Sequence, residues 1–555
     1  MLDKIYRVLK RFNKRANIGH PDDAETYNKW LANKTTAIQE KKIQYRPLIS
    51  VIMPVYNVSI EWLEKAINSV EKQSYTNWEL CIVDDASTNK KIQDYLLSKK
   101  SEKIKVVLLE KNAHISEASN AALKQAEGEF IALLDHDDEL TEDALYEVVK
   151  LLNRDPKLDL IYSDEDKKLL DGRRIYPAFK GGWNPEMIFS FMYIGHLGVY
   201  RKEIVDLIGG FRKGFEGAQD YDLLLRFTER TNRIAHIPRI LYHWRMIPGS
   251  TAVEVDSKGY AYDRGRLAVL QSLQRRNLPC IHVDEDPNIR GNYIPIFKVN
   301  NSSRIFLAVF FNGDNNDSLQ KKIRKLEKTI TYTNYQMVIF TSHESLAQNN
   351  SDVVLINDNN ILQCVLSEAV KCRASLITIL DLDLSPITEK WLEKMIPYAN
   401  RHDIAGVCGQ VVSENNKIVY SGGYYCFTGK NLSIMYADYG DEHDATGYLG
   451  RVRRIQNTSI WFDKSLMIKT ELLAEYLKSE SEEYSMRDFL FYVLYKGKFN
   501  IYHPFIKFIS TNHYSSACTY IDAPFVEKWK GRIPKTDQFI NPNITYRDGK
   551  ITLND

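Results

Sequence analysis

The sequence is poor in the features that define several large protein classes. Its 555 residues include seven cysteines, an odd number, and no two of them have the C-x-x-C spacing of a zinc ribbon or a dithiol redox motif. The 74 Lys and Arg residues nearly balance 72 Asp and Glu, so the net charge of +2 gives no reason to expect a nucleic-acid partner. The 44% hydrophobic and 26% charged residues are typical of a globular protein and exclude a disordered chain.

Long apolar runs are also missing. No stretch approaches the roughly 18 apolar residues of a membrane span, and charges interrupt residues 1–20 too often for a signal peptide. Leu2, Ile5, Leu9 and Phe12 recur there at helical spacing among basic residues. Two interpretations stay open: a basic helix in peripheral contact with an anionic membrane, or a helix that packs on its own protein. We expect a cytoplasmic location, at the inner membrane face under the first interpretation.

Two phosphate-binding signatures are absent as well. The turn after the first apolar run, Met53 to Asn57, carries no GxGxxG, which argues against a dinucleotide-binding dehydrogenase. No GxxxxGK[ST] occurs, which argues against a P-loop enzyme. The same turn lacks the Gly- and Arg/Lys-rich loop that a sugar nucleotidyltransferase would need.

Strand and helix patterns alternate along most of the chain. From Pro47 onward, apolar β-branched runs such as LISVIMPVY alternate with segments of helical period, which predicts a doubly wound α/β sheet. A second series begins near Arg304 and repeats features of the first in the same order: YTNW and YTNY, FIALLDHDDEL and LITILDLDLSP, QDYDLLLRF and RDFLFYVLY. This order predicts an internal duplication, with chance matching of short apolar strings as the alternative.

The patterns divide the chain into consecutive segments. They are a helical lead-in at 1–46, a first α/β domain at 47–265, a linker at 266–303, a second copy at 304–522 for which degeneracy stays an open interpretation, and a tail at 523–555.

Carboxylates stand where the predicted strands of the first domain end. Ligands bind beyond the carboxyl ends of strands in such sheets, and acidic clusters occur at Asp84–Asp85, Asp135–Asp138 and Asp164–Asp166. Two aspartates one residue apart, as in Asp135 and Asp137, suit Mg²⁺ or Mn²⁺ held jointly with substrate phosphates. The alternative is that this cluster caps the next helix, because Asp is a good N-cap.

The motifs around these clusters resemble glycosyltransferase family 2, whose fold is GT-A. The resemblance covers about 47–255 and rests on SVIMPVYN, CIVDDAST, HISEASNAAL, GEFIALLDHDDEL, LIYSDEDK, YIGHLGVYR, EGAQDYDLLLR and HIPRILYHWR. It is most similar to a bacterial polysaccharide-assembly subgroup that includes rhamnosyltransferases. The second half resembles the family more loosely, through ITILDLDLSPITEKWLEKM and AGVCGQVVSENNKIVYSGG. The implied fold class is α/β, with two GT-A-like domains in tandem.

The resemblance implies roles for residues at matching positions. Asp220 takes the position of the general base. The residues expected at the nucleotide-sugar donor are Pro54, Val55, Tyr56, Asp84, Asp85, Asn120, Asp135 and Arg245. Those expected to hold Mg²⁺ or Mn²⁺ are Asp137, His243 and Asp135.

The chain departs from the family pattern at two places. Gln219 precedes the base where many members have Glu, so Asp220 lacks an acidic neighbour. Ser119 and Asn120 replace an Arg-Asn pair, which removes one expected contact to phosphate or sugar.

Chemistry supports a carboxylate base, because a sugar hydroxyl is a poor nucleophile until a nearby group takes its proton. Asp220 begins a predicted amphipathic helix, so it is alternatively an N-cap, and Asp222 is its nearest competitor. His196 lies among apolar residues, and we expect a core histidine there. The Asp164–Asp166 cluster either contacts the acceptor or solvates a strand end.

The second half keeps part of the pattern. Asp381 and Asp383 repeat the spaced aspartates, and Asp488 aligns with Asp220. At the position of the VDD run at residues 83–85, however, the sequence reads Phe340 to Glu344 and lacks those aspartates. A second active site and a structural or acceptor-binding domain are both open interpretations.

Together, the motifs imply an inverting, metal-dependent glycosyltransferase. Its donor would be a nucleoside-diphosphate sugar, with rhamnose one candidate, and its acceptor a lipid-linked or polymeric cell-surface glycan. The alternatives are a bifunctional enzyme with two active domains and a carbohydrate-binding scaffold without catalysis.

Overall fold

The computed structural model describes residues 20–34, 43–247, 259–349, 353–356, 361–428, 431–479, 484–512, 517–521 and 523–554. Two large mixed β-sheets with flanking helices form its two halves. The predicted basic helix at residues 1–20 lies almost wholly outside the described residues.

The first half begins with one helix and then alternates strands and helices. Its elements are α1 (Ala24–Lys34), β1 (Ile49–Val55), α2 (Ile60–Glu71), β2 (Trp78–Asp84), α3 (Lys90–Ser98), β3 (Ile104–Leu108), α4 (His114–Gln125), β4 (Phe130–Leu133), β5 (Glu139–Leu140), α5 (Ala144–Leu152), β6 (Leu160–Lys168), β7 (Arg174–Ala178), a 3₁₀ turn (Met187–Phe189), β8 (Gly198–Arg201), α6 (Lys202–Leu207), α7 (Gln219–Phe227) and β9 (Ile234–Arg245).

A helix and a hairpin connect the halves, and the second half then repeats the alternation. The elements are α8 (Gly259–Arg275), β10 (Cys280–Glu285), β11 (Tyr293–Phe297), β12 (Ile305–Phe310), α9 (Asn316–Glu327), β13 (Tyr335–Thr341), α10 (Glu344–Asn349), β14 (Val353–Leu355), α11 (Ile361–Lys371), β15 (Leu376–Asp381), β16 (Leu384–Pro386), α12 (Trp391–Ala399), β17 (Ile404–Ser413), β18 (Ile418–Tyr420), β19 (Gly423–Thr428), β20 (Asn431–Tyr436), a 3₁₀ segment (Tyr448–Arg453), β21 (Gln456–Thr458), β22 (Ser465–Lys469), α13 (Thr470–Leu477), α14 (Met486–Tyr495), β23 (Phe499–Ser510), β24 (Cys518–Ile521), α15 (Ala523–Trp529), β25 (Ile544–Arg547) and β26 (Lys550–Leu553).

The two sheets have the same topology. The first runs β3-β2-β1-β4-β8-β6-β9-β5 and the second β14-β13-β12-β15-β22-β17-β23-β16, so each strand has a counterpart at the same place. The directions agree too: β1 pairs in parallel with β2 and β4, as β12 does with β13 and β15. Eight strands in one order with matching directions confirm the predicted tandem of GT-A-like domains, because chance similarity of short strings would not reproduce them.

Apolar strands hold each sheet between its helices. Every residue of β1 except Pro54 is buried, as expected for a parallel strand covered on both faces. The second core is equally continuous, and strand β15 is buried along its whole length. Ligands in such sheets bind at the carboxyl ends of the strands. In both domains these ends are supported by a buried core.

The segment expected to link the domains is itself folded. Helix α8 runs through the expected boundary at residue 265, and β10 and β11 form an antiparallel hairpin behind it. Tyr293 of the hairpin donates its main-chain N–H to Ser190 of the first domain at 2.8 Å. The segment predicted as a linker at 266–303 thus contains a helix and a hairpin, and its Pro and Gly residues mark turns between them.

Polar contacts fasten the two domains together. Asn184 and Asn457 exchange hydrogen bonds of 3.0 Å in both directions between side chain and backbone. The buried carboxylate of Glu186 forms an ion pair with Arg401. Tyr448 also contacts Phe179, whose main-chain N–H donates to the phenol oxygen at 3.0 Å. The halves thus share an ordered interface.

The described residues contain no helix with the length and apolar character needed to cross a bilayer.

Candidate active site

The nucleotide edge of the site is built where β1 and β2 end side by side. Val55 pairs with Asp84, and Asp85 donates its main-chain N–H to the Val55 carbonyl at 2.8 Å. The Asp85 carboxylate accepts the N–H of Ala113 at 2.6 Å, which joins the start of α4 to this edge. Tyr56 follows β1 and is 43% exposed. The predicted donor residues Pro54, Val55, Tyr56, Asp84 and Asp85 therefore share one strand-end rim.

Only one of the two carboxylate oxygens of Asp84 has a hydrogen-bond partner among the described residues. Its carboxylate is fully buried, and Oδ2 accepts the N–H of Ser87 at 3.0 Å. Oδ1 is buried without a hydrogen-bond partner among the described residues. Because buried polar atoms in native proteins nearly always have a partner, this oxygen is an unused acceptor beside the nucleotide rim.

The spaced aspartates lie on the loop between β4 and β5. The Asp135 side chain is 47% exposed and that of Asp137 is 19% exposed. The next helix, α5, begins only at Ala144, several residues beyond this loop. The capping alternative for Asp135–Asp138 is therefore not realised.

Asp137 keeps its negative charge. Burial by itself raises the pKa of this carboxyl, but the neighbouring His136, together with the charge of Arg245, opposes burial, and the net shift of the pKa is downward from its ordinary value. The two groups approach to 3.4 Å between His136 Nδ1 and Asp137 Oδ1. An ionised, part-exposed oxygen is what a hard cation requires.

Arg245 shapes this loop from strand β9. Its main-chain N–H donates to Asp138 at 2.8 Å, its Nε donates to the Asp137 carbonyl at 2.9 Å, and its guanidinium pairs with Glu139. The side chain is 3% exposed. Arg245, which was predicted to contact the donor, thus already pairs with Glu139. Its hydrogen bonds also fix the backbone beside the candidate metal ligands.

Asp220 lies at the first turn of α7 and faces the aspartate loop. The N-cap position of α7 is Ala218, so Asp220 does not cap the helix. Burial raises the pKa of Asp220; the charge of His196 opposes that shift and the charge of Asp135 adds to it. The charges of His196 and Asp135 therefore act on the pKa of Asp220, although the three residues are far apart in the sequence.

His196 completes this cluster. Its Nε2 lies 3.8 Å from Asp135 Oδ2, and its ring stacks on Tyr242 with centroids 4.5 Å apart. The Tyr242 hydroxyl in turn donates to Asp138 at 2.6 Å. The expectation of a core histidine was wrong: apolar neighbours in the sequence hold the loop, while the imidazole turns toward the aspartates.

Asp222, the competing base, has a different environment. Its side chain is fully buried and pairs with both Arg212 and Arg226. Its oxygens accept from both guanidinium groups in a site closed to solvent, so an acceptor hydroxyl would not reach them.

Two further predicted residues have fixed internal partners. The Asn120 amide donates to the Phe211 carbonyl at 2.8 Å and accepts the Phe211 N–H at 2.9 Å, which ties α4 to the loop after α6. His243 Nδ1 lies 2.6 Å from Asp166 Oδ1, and the Tyr27 hydroxyl donates to the other oxygen at 2.6 Å. This arrangement orients the imidazole and leaves Nε2 for another partner, as in carboxylate–histidine–metal arrangements.

The Asp164–Asp166 cluster was predicted at a strand end, but β6 continues through it to Lys168. Asp164 and Asp166 are fully buried, and pairing with β7 and β9 extends the strand past the acidic residues. The sequence did not indicate that the strand continues, because partners that offset the charges of Asp164 and Asp166 are far away in the chain.

The second domain places its aspartates among cations. Asp383 contacts Lys322 at 2.7 Å and Asp381 contacts Lys464 at 3.3 Å. The Asp488 carboxylate accepts from Trp529 Nε1 at 2.9 Å and from the Tyr476 hydroxyl at 2.9 Å. Asp381 and Asp383 are joined by a 2.9 Å hydrogen bond from the main-chain N–H of Asp383, whereas Asp488 is turned toward α15.

The donor set can be tested against a divalent cation. Within the described ranges, no group of three His, Cys, Asp or Glu side chains is arranged to hold a metal ion. Asp137 and Asp135 offer ionisable oxygens on one loop, which fits a cation that takes one or two protein carboxylates and completes its shell with diphosphate and water.

The family comparison agrees with this geometry. Residues 50–209 match the model for Glycosyl transferase family 2. The first domain belongs to glycosyltransferase family 2. The matched residues carry the nucleotide edge, the aspartate loop and His196, and the predicted family resemblance is thus confirmed.

Curated relatives extend the similarity into the second half. The chain is 33% identical over 449 residues to the uncharacterized protein y4gI of Sinorhizobium fredii (strain NBRC 101917 / NGR234), covering 78% of this chain and 49% of that protein. It is 27% identical over 431 residues to the O-antigen biosynthesis protein RfbC of Myxococcus xanthus, covering 74% and 33%. A chondroitin synthase of Pasteurella multocida (strain Pm70) is 23% identical over 427 residues, covering 75% and 41%. The chain therefore spans between a third and a half of these relatives.

Among solved structures, residues 1–349 of S. aureus TarS in complex with UDP-GlcNAc match at 26% identity and a TM-score of 0.34, covering 40% of this chain and 66% of that one. A mannosyltransferase from Pyrobaculum calidifontis in complex with GDP-Man and Mn²⁺ matches at 19% identity and a TM-score of 0.33, covering 50% of this chain and 76% of that one.

Sequence reasoning missed two members of the cluster. His196 and Tyr242 both lie in quoted motifs, YIGHLGVYR and HIPRILYHWR, so the signal was present. It was not used because a histidine or tyrosine among apolar residues is more often a core residue.

Proposed function

We propose that the first domain is an inverting, metal-dependent glycosyltransferase that uses a nucleoside-diphosphate sugar. The observation that carries the proposal is the 3.8 Å approach of His196 to Asp135 at the strand-end cleft, with Asp220 near enough for both charges to shift its pKa. The buried, unpartnered Oδ1 of Asp84 supports a nucleotide pocket on the same rim, since a base N–H would satisfy it.

In the reaction, the acceptor hydroxyl attacks C1 of the donor sugar from the side opposite the diphosphate. Asp220 takes the hydroxyl proton as the new C–O bond forms, and the bond from C1 to the diphosphate oxygen breaks. One displacement with one base inverts the configuration at C1. The raised pKa of Asp220 suits this role, because a base is most effective when its pKa lies nearer the working pH.

Other side chains of the cleft would bind and orient the donor. Asp137 and Asp135, with His243 as a further candidate, would hold Mg²⁺ or Mn²⁺. When bound, such an ion offsets the negative charge that develops on the leaving diphosphate. Arg245 holds the loop backbone on which these aspartates stand.

We further propose a lipid-linked or polymeric cell-surface glycan as the acceptor. The printed names of the relatives, an O-antigen biosynthesis protein and chondroitin synthases, support an acceptor of this kind. The sugar stays open, with rhamnose one candidate beside the N-acetylglucosamine and mannose of the structural neighbours.

The deciding experiment is a thermal-shift panel of UDP-GlcNAc, GDP-mannose and dTDP-rhamnose, each with and without Mn²⁺, followed by measurement of donor hydrolysis. A donor present at about 100 times its Kd stabilises the folded state by about 2.7 kcal/mol, which is measurable. Binding without hydrolysis or transfer would favour the carbohydrate-binding scaffold. No stabilisation by any nucleotide sugar would contradict the proposal.

We also propose a cytoplasmic location with peripheral membrane contact through residues 1–20. Each Lys or Arg near an anionic surface contributes about 1 kcal/mol. Deletion of those residues should weaken sedimentation with phosphatidylserine vesicles and leave donor hydrolysis unchanged. Equal sedimentation of the two chains would support a helix packed on its own protein.

A further inference from the structure

Lys180 is a buried lysine whose ammonium holds the loop that carries His196. Its Nζ lies 2.5 Å from the carbonyl oxygen of Ile194, 2.6 Å from that of His196 and 2.8 Å from that of Ser163. It also pairs with Glu165 at 3.1 Å. These acceptors use all three N–H groups of an ammonium, so Lys180 fixes the backbone on either side of the imidazole.

The same carboxylate reinforces this hold. Oε2 of Glu165 accepts the main-chain N–H of His196 at 2.6 Å. A side chain added at Gly195 would meet this carboxylate, since the nearest oxygen is 2.6 Å from the position of a Cβ. The loop therefore has little room to shift while Lys180 and Glu165 keep their places.

The C-terminal tail holds Lys180 from the other side. The Asn541 amide donates to the Lys180 carbonyl at 2.8 Å and to Asp164 Oδ2 at 2.8 Å. Asp164 Oδ1 accepts the Lys180 N–H at 2.9 Å and lies 2.8 Å from His236 Nε2. Asn541 is 1% exposed, so both N–H groups of its amide are spent in a site closed to water.

From these contacts we infer that Asn541 is a positioning residue of the first domain's active site. It fixes Lys180, Lys180 fixes the loop at His196, and His196 lies against Asp135. The tail beyond the second domain is thus part of the catalytic unit, although it lies more than 300 residues from the family 2 segment at 50–209. The inference rests on the proposed function where it concerns turnover, but the geometry of the loop can be tested separately.

Two substitutions and a matched control test the inference. Asn541→Ala removes both donated hydrogen bonds. Asn541→Asp keeps an acceptor for the Asn543 N–H but sets a carboxylate against Asp164. The control is Asn543→Ala, which lies on the same tail and loses only a 2.9 Å hydrogen bond to the Pro238 carbonyl.

The first measurement separates kcat from KM, with UDP-GlcNAc, GDP-mannose and dTDP-rhamnose as donors. We expect both Asn541 variants to lose about tenfold or more in kcat, since small displacements of reacting groups are costly. Donor KM should stay within about twofold, because Asp84 and Asp85 lie on other elements. Asn543→Ala should keep kcat. Equal kcat in all four proteins, or an equal loss in Asn543→Ala, would overturn the inference.

The second measurement is hydrogen exchange of residues 193–198 without any ligand. We expect the His196 amide to exchange about tenfold faster in the Asn541 variants, because local opening releases its bond to Glu165. Exchange in β2 should not change, and melting temperature monitors global stability. Unchanged exchange at His196 in folded variants would overturn the inference even if the chain turns over none of the three donors. Absence of turnover in the unmodified chain counts against the proposed function alone.

Discussion

Both domains carry a pair of aspartates at or just after the end of their fourth strand, but the two pairs have different neighbours. In the first domain the Asp135 side chain is 47% exposed and Asp137 lies beside His136. In the second domain Lys464 and Lys322 contact the corresponding carboxylates at 3.3 and 2.7 Å. Two lysines already offset the charge that a divalent cation would offset, so the second pair has less need of a metal.

The position of the base differs in the same way. Asp220 is half-buried at the cleft, and burial raises its pKa. Its counterpart Asp488 is 3% exposed and pairs with Lys528 at 2.7 Å. A carboxylate that fastens α15 to α14 contributes to stability, whereas one that faces a cleft with a raised pKa is suited to proton transfer.

At the nucleotide rim, strand β2 ends in Asp84 and its counterpart β13 ends in Thr341. Thr341 is buried, and its hydroxyl accepts the N–H of His343 at 3.2 Å. The comparison shows that the two sheets share one strand order while the polar residues at their strand ends differ. We expect those residues to decide whether each sheet holds a site.

The largest expected effect comes from removing the negative charge of Asp220, and the matched test removes that of its counterpart Asp488. Asp220→Asn should lower turnover by about two to four orders of magnitude at unchanged donor affinity, the usual size of a general-base contribution. Asp488→Asn should keep the turnover of the first site. The two kcat values, measured with the donor that the chain hydrolyses, check this.

A third variant tests whether the base is Asp220 or Asp222. Asp222→Asn leaves two arginines without their carboxylate partner and should cost stability, about 3–5 kcal/mol for a broken buried pair. If folded Asp222→Asn lost more turnover than Asp220→Asn, the base would be Asp222. A large loss in Asp488→Asn would instead indicate that the second domain is catalytic.

The next largest expected effect is a difference between the two domains in Mn²⁺-dependent nucleotide binding. Asp137→Ala should weaken Mn²⁺-dependent nucleotide binding by at least about tenfold, since loss of even an outer-shell partner of a metal ligand costs about tenfold to a hundredfold. Asp383→Ala should leave it unchanged, because Lys322 occupies that carboxylate. Calorimetric titration of UDP, GDP and dTDP with and without Mn²⁺ measures both. Equal losses in the two variants would mean that both pairs bind metal.

Nucleotide affinity of the second cleft is a smaller effect and is best measured in the Asp137→Ala chain. We expect binding there to be weaker than at the first site and to depend little on Mn²⁺, since Thr341 replaces the aspartate of the nucleotide rim. A second site with the affinity of the first would indicate a bifunctional transferase that adds two sugars in succession.

The pH profile gives the smallest effect. A base must be deprotonated to act, so kcat/KM falls as pH drops through the pKa of Asp220. Burial raises that pKa above the ordinary value of 3.8, and we expect the acidic limb above that value. His196→Asn removes a charge that lowers this pKa and should move the limb to higher pH. A limb that stays in place would separate His196 from the base.

Much of the fold was predictable because strand and helix periods are local. The runs that became β1 and β2, and their counterparts β12 and β13, are mainly apolar and were recognised as strands. The boundary at residue 265 was not predictable, since α8 continues through it and packs on the first domain.

The sequence by itself determined the duplicated α/β architecture, the family of the first domain and the identity of the candidate carboxylates. Each depends on residues close together in the chain, whose spacing sets period, turn and strand end. Tertiary structure alone decided which carboxylates face the cleft. Asp220 and Asp222 are two residues apart on one helix, and helical spacing already brings Arg226 to Asp222. Only the fold adds Arg212 to that pair and leaves Asp220 toward His196. The contact from Asn541 to Lys180 spans 361 residues, a separation at which sequence spacing carries no information about distance.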